Sequence, residues 1–61
     1  MKHAQADYIN LGYRYEKATS HEAGQAAAQA IRTLLEAETI EDRTEARYLV
    51  ERGRREARET V

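Results

Sequence analysis

Few residues in this 61-residue chain carry side chains suited to chemistry. His3 and His21 are the only histidines, Ser20 is the only serine, and there is no cysteine. His21 has no second imidazole one helical turn away to share a metal ion, and Ser20 stands in no nucleophile motif. With no glycine-rich phosphate loop either, the sequence offers no catalytic, cofactor-binding or metal-ligating residue. The expectation is a protein that is not an enzyme and carries no cofactor. A chain this short also encloses little volume for a ligand pocket.

Arginine is the strongest remaining chemical signal. Arg43, Arg47, Arg54 and Arg58 recur at intervals of four, seven and four, which places them on one face of a helix, where guanidinium groups could hold phosphates. Six arginines between residues 40 and 61 are matched there by Glu41, Asp42, Glu45, Glu51, Glu56 and Glu59, so the segment is neutral and reads first as a solvated, ion-paired helix. The whole chain has a net charge of only -1 although 34% of its residues are charged, which argues against electrostatic steering to nucleic acid or a membrane surface.

The elements that position these residues are drawn from a thin apolar set. The 41% hydrophobic fraction is dominated by eleven alanines, with no Phe or Trp to anchor a core. At about 25 cal/mol per Å² of apolar burial against roughly 1.5 kcal/mol of ordering cost per residue, a chain of this size nets close to zero alone. A second copy is therefore the expected source of further stability, and a homodimer the expected assembly. The N-terminal residues lack the apolar run of a signal peptide, and no stretch has membrane-spanning length, so the reading is a cytoplasmic protein without a membrane role.

Capping chemistry divides the chain into three helices over about residues 4–18, 20–38 and 40–59, one small all-α domain of a helical hairpin plus a charged third helix. Thr19 with Glu22 fits a capping box, and Thr39 followed by Glu41 and Asp42 fits a second helix start. Between them Ala23, Ala27, Ala30, Ile31, Leu34 and Leu35 form one apolar stripe. Continued in phase, that stripe would put Glu38 and Asp42 on the apolar face, whereas the later stripe is Ala46, Leu49, Val50, Gly53 and Ala57, so the phase slips near Thr39. The slip favours two helices joined by a short turn, while nothing from 36 to 42 forbids one unbroken helix over 20–59. The small residues of the second helix admit close approach of another helix, within the chain or across a dimer. Tyr8, Leu11 and Tyr15 on the first helix, with Ala23, Ala27, Ala30, Ile31, Leu34 and Leu35 on the second, are the expected dimer or partner interface. Ile9 and Tyr13 lie off the stripe as candidate exposed contacts.

Residues 8–15 also fit a strand, because Ile9, Leu11, Tyr13 and Tyr15 alternate with polar or small neighbours. In that form the order strand, helix, helix resembles the ribbon-helix-helix regulators, dimers whose paired strands enter the DNA major groove. The resemblance implies that Asn10 and Arg14 would read bases, with Arg43, Arg47, Arg54 and Arg58 available to phosphates. The helical stripe of Ala4, Tyr8, Leu11, Tyr15 and Ala18 spans twice the length and is preferred.

In its helical form, Tyr8-Ile9-Asn10-Leu11-Gly12-Tyr13-Arg14-Tyr15 resembles the first helix of a tetratricopeptide repeat, with an aromatic, then Leu-Gly, then Tyr. Ala23, Ala27 and Ala30 fall near the small positions of that repeat's second helix. The likeness covers residues 8–31, one unit only, with Tyr in place of the opening Trp and with the inter-helix Gly and closing Pro missing. It implies a helical hairpin that presents a peptide- or protein-binding surface, and no catalysis.

Overall fold

A computed structural model describes residues 1–60. Three α-helices run in order: α1 is Gln5–Lys17, α2 is His21–Glu36 and α3 is Ile40–Glu59, and the described residues contain no strand. The strand alternative for residues 8–15 is thereby overturned. Tyr8, Leu11 and Gly12 come to one side at helical spacing and are buried there, and Asn10 and Arg14 are exposed on the helix. A helix satisfies its backbone groups internally, whereas a strand here would depend on a second copy of the chain for its pairing.

Two side chains set the helix starts. Ser20 accepts the Ala23 N–H at 3.1 Å and caps α2, one residue later than the Thr19 cap expected from the sequence. Thr39 accepts the Asp42 N–H at 3.1 Å and caps α3, with Glu41 and Asp42 in the first turn complementing the helix dipole. α2 stops at Glu36, so the phase slip near Thr39 is a break between two helices. Arg43 reinforces that turn by donating from Nε to the Leu35 carbonyl at 2.8 Å and from a terminal nitrogen to the Glu36 carbonyl at 3.3 Å. Those carbonyls lie at the end of α2, where the helix no longer supplies its own donors.

α1 and α3 form the principal interface, and α2 rests mainly on α1. The first two helices form an up-down pair, and α3 returns parallel to α1. The Met1 ammonium lies 3.3 Å from Asp42 near the start of α3, and the Lys17 ammonium donates to the Thr60 carbonyl at 2.6 Å beyond its end. Midway, two glycines remove the side chains that would hold these helices apart. A Cβ on Gly12 would overlap the Val50 carbonyl oxygen and lie 2.8 Å from its carbon. A Cβ on Gly53 would overlap the Ile9 carbonyl oxygen and lie 2.9 Å from the Tyr13 nitrogen. The contact is reciprocal, backbone against backbone, at a point where side chains ordinarily hold helices about 8–10 Å apart. Within the chain, this backbone-to-backbone approach is made by the glycines of α1 and α3.

Above this crossing sits the core of Tyr8, Ala46, Leu49 and Val50, with Ile9, Ile31, Leu34 and Leu35 partly buried against it. The apolar stripe expected on the third helix, Ala46, Leu49, Val50, Gly53 and Ala57, is its buried face without exception. α2 contributes one buried residue, Ala27.

Candidate functional site

The most chemically distinctive interior group is Glu38, in the turn between α2 and α3 and only 4% exposed. One carboxylate oxygen accepts the Lys2 N–H at 2.7 Å; the other accepts the His3 N–H at 3.2 Å and the Tyr8 hydroxyl at 2.6 Å. The Tyr8 oxygen also lies 3.1 Å from the Leu34 carbonyl, and the His3 ring stands edge-on to the Tyr8 ring at 6.1 Å between centroids. Burial alone would raise the Glu38 carboxyl; the donors Lys2, Tyr8 and His3 outweigh it and hold the group down at about 2. Burial, followed by the bond to Glu38, pushes the Tyr8 phenol well above its ordinary value near 10. An ionised carboxylate with three donors and a phenol kept neutral make a joint among the N-terminal segment, α1 and the α2–α3 turn. Among the described residues every buried side-chain polar atom has a hydrogen-bond partner.

The arginine face is largely committed inside the chain. Arg54 Nε donates to Glu16 at 3.0 Å and a terminal nitrogen to Glu51 at 2.8 Å, while its guanidinium stacks 5.1 Å from the Tyr15 ring centre. The Glu16 hydrogen bond, opposed by burial and aided by Glu51, raises Arg54 further above its ordinary value. Arg58 reaches the same Glu16 oxygen at 3.3 Å, and Arg43 caps α2. Of the four arginines on that face, Arg47 is the one that is exposed with no ion pair among the described residues. The Glu16 carboxylate on α1 thus occupies two of the α3 guanidinium groups that a phosphate would otherwise meet.

The interface candidates divide by depth. Tyr8, Leu11 and Ala27 are buried within the single chain; Ile31, Leu34, Leu35 and Ala30 are half-buried; Ala23 is exposed and Tyr15 is 39% exposed. Ile9 and Tyr13 are half-buried, with the Lys17 ammonium 5.9 Å from the Tyr13 ring centre. The large apolar side chains that do face solvent on α3 are Ile40, 80% exposed, and Tyr48, 60% exposed.

What remains open to a partner is the outer side of α2. Residues 23–31 contain no charged side chain, the longest such run in a chain one-third charged. Along that side runs an open depression of about 250 Å³ lined by Gln25, Ala28, Gln29 and Arg32. A second of about 250 Å³, lined by Tyr15, His21, Gly24, Gln25 and Ala28, adjoins it through the shared Gln25 and Ala28. Small residues at Gly24 and Ala28 make the floor; amides and a guanidinium make the rim. Among the described residues no group of three or more His, Cys, Asp or Glu is gathered to hold a metal ion, and no helix is long and apolar enough to cross a membrane.

Glu38 and the Gly12–Gly53 crossing are the features that sequence reasoning passed over. Glu38 did leave a signal, since it falls in phase with the apolar stripe of α2. Gly53 left one too, standing in the stripe of α3 where a side chain would be expected. No protein-family model matches this chain, and no match was found among curated proteins or among solved structures.

Proposed function

We propose that this chain is a small, non-enzymatic protein-interaction or regulatory protein of the cytoplasm, acting through its helical surface as a homodimer or against a protein partner. The observation that carries the reading is α2: one of its sixteen residues is buried, and its central span carries no charge. Depletion of charge is the compositional mark of an interface centre, whereas a helix face meant only for water is ordinarily studded with Lys and Glu. The tetratricopeptide resemblance points the same way, toward a surface for a peptide or protein. The rival reading, a ribbon-helix-helix-like DNA-binding regulator, is not retained, because residues 8–15 are helical and three of the four face arginines are engaged internally.

Photo-crosslinking tests this reading. A benzophenone side chain replacing Gln25 on α2 should yield a discrete protein adduct, competed away by unlabelled chain. The same probe replacing Thr44 on the outer side of α3 should not. Equal labelling at both positions, or none at either, overturns it.

A further inference from the structure

We infer that the outer face of α2 pairs antiparallel with the same face of a second copy of this chain, so that Glu22 of each subunit meets Arg32 of the other. The inference rests on the reading above in one respect, that α2 is the contact helix, and adds the occupant and the register.

The argument begins from Ala27, the residue of α2 that is buried. On a helix, residues equally far before and after a given position lie symmetrically about the line through that position and its opposite side. Because Ala27 points inward, the opposite line points to solvent, and the pairs flanking it are Ala26 with Ala28, Gln25 with Gln29, and Glu22 with Arg32. A two-fold axis set beyond the end of that line, perpendicular both to it and to the helix, places a second copy antiparallel and brings each residue level with the counterpart of its pair. Glu22 then faces the partner's Arg32, and the reciprocal contact repeats it. Gln25 faces the partner's Gln29, amide to amide, and each amide both donates and accepts. Ala26 and Ala28 stand on the two flanks of that face, Ala26 exposed and Ala28 half-buried beside the depression also lined by Gln25, Gln29 and Arg32.

Charge complementarity fixes this register against its neighbours. Moving the axis two residues on, to Gln29, would set Glu22 against the partner's Glu36, like charge on like. Neither Glu22 nor Arg32 makes an ion pair within the chain among the described residues, so both charges are available. The chain exposes 4405 Å², more than the about 4,000 Å² that a compact monomer of its 7.0 kDa exposes on the usual scaling. One helix against one helix buries on the order of 1,000 Å² in total, below the range of permanent dimers, and so predicts a weak, reversible pair.

Sedimentation equilibrium from about 10 μM to about 1 mM, the range in which an interface of this size associates, provides the test. The weight-average mass should rise from one chain toward two. E22R and R32E should each weaken association by about tenfold or more, because each sets like charges together twice. The double variant E22R/R32E should restore it to within about threefold, which only a direct contact between the two positions produces. Circular dichroism on the same samples checks that each variant is as helical as the parent. A chain that stays monomeric throughout overturns the pairing, as does a dimer indifferent to the single reversals or one that the double reversal fails to restore. A monomer that is still crosslinked to another protein through position 25 would end the self-pairing while leaving the interaction reading intact.

Discussion

The Tyr8 hydroxyl donates to the Glu38 carboxylate at 2.6 Å, joining the first turns of α1 to the turn that separates α2 from α3 across thirty positions of sequence. Tyr8 is wholly buried, the largest side chain to be so. In a chain without Phe or Trp it combines two roles: its ring fills the centre of the core, and its oxygen compensates a buried charge.

Tyr8→Phe therefore keeps the ring and removes one of three donors to Glu38. The expected loss is about 2 kcal/mol, the scale of a hydrogen bond to a charged group. Urea unfolding followed at 222 nm measures it. An unchanged midpoint would show that the two N–H donors suffice to hold Glu38.

The same joint sets a pH dependence. The Glu38 carboxyl is lowered on folding from its ordinary value of 4.5 to about 2. A lowered carboxyl contributes stability that is fully present above about 4.5 and is lost as pH falls toward 2. Tyr8 is shifted the other way, so its contribution is present below pH 10 and is lost in more alkaline solution. Urea midpoints measured from pH 2 to 7 should decline below 4.5 in the parent chain and decline less in Glu38→Gln, which lacks the titrating group. Parallel curves for the two would place the acid sensitivity elsewhere.

Gly12→Ala and Gly53→Ala each insert a methyl group into a backbone-to-backbone contact. The obstructing atoms belong to main chain, which has no rotamer in which to retreat, so α1 and α3 must separate. Each substitution should cost about 3 kcal/mol or more, the upper range for overpacking, although Ala is the better helix former. Gly24→Ala is the control: its Cβ would meet only the Ala18 Cβ, at 3.9 Å, and it should raise the melting temperature. Thermal melts of the three variants decide the matter, and a stabilised Gly12→Ala would refute the close crossing.

Thr39→Ala removes the side-chain acceptor at the start of α3 and should cost about 1 kcal/mol, as should Ser20→Ala at α2. The two differ in their consequences for exchange of backbone amides. Thr39 adjoins Glu38, so its loss should also speed exchange at the Lys2 and His3 amides, whereas loss of Ser20 should not. Hydrogen exchange by NMR separates them.

Much of the architecture could be read from side-chain spacing. The stripe Ala46, Leu49, Val50, Gly53 and Ala57 is regular enough to define both a helix and its inward face, and the phase slip near Thr39 marked a break that the structure contains. Residues 8–15 were ambiguous because Tyr, Ile and Leu there satisfy two periods at once. The choice between periods depends on what the backbone bonds to, and α1 bonds to itself. Ser20 in place of Thr19 as the cap of α2 is a shift of one residue between adjacent hydroxyls, a difference of backbone angle that composition does not encode.

By itself the sequence determined the inward stripe of the third helix and the scarcity of bulk in the core, because these depend on interactions within a few residues and on totals; whether residues 8–15 are helix and whether 20–59 are one helix or two it left open. Tertiary structure alone decided which helices touch most closely and which charges are used up. Gly12 meets Val50, and Gly53 meets Ile9 and Tyr13, only when α1 and α3 run side by side; Glu38 becomes an acceptor for Lys2, His3 and Tyr8 only when the chain returns to its beginning. Arg54 and Arg58 lie on the same face as Arg47 in sequence, yet Glu16 on another helix pairs with the first two, while Arg47 has no ion pair among the described residues. Local periodicity fixes the side a residue faces, while the partner waiting there comes from a distant part of the chain, and only packing brings the two together.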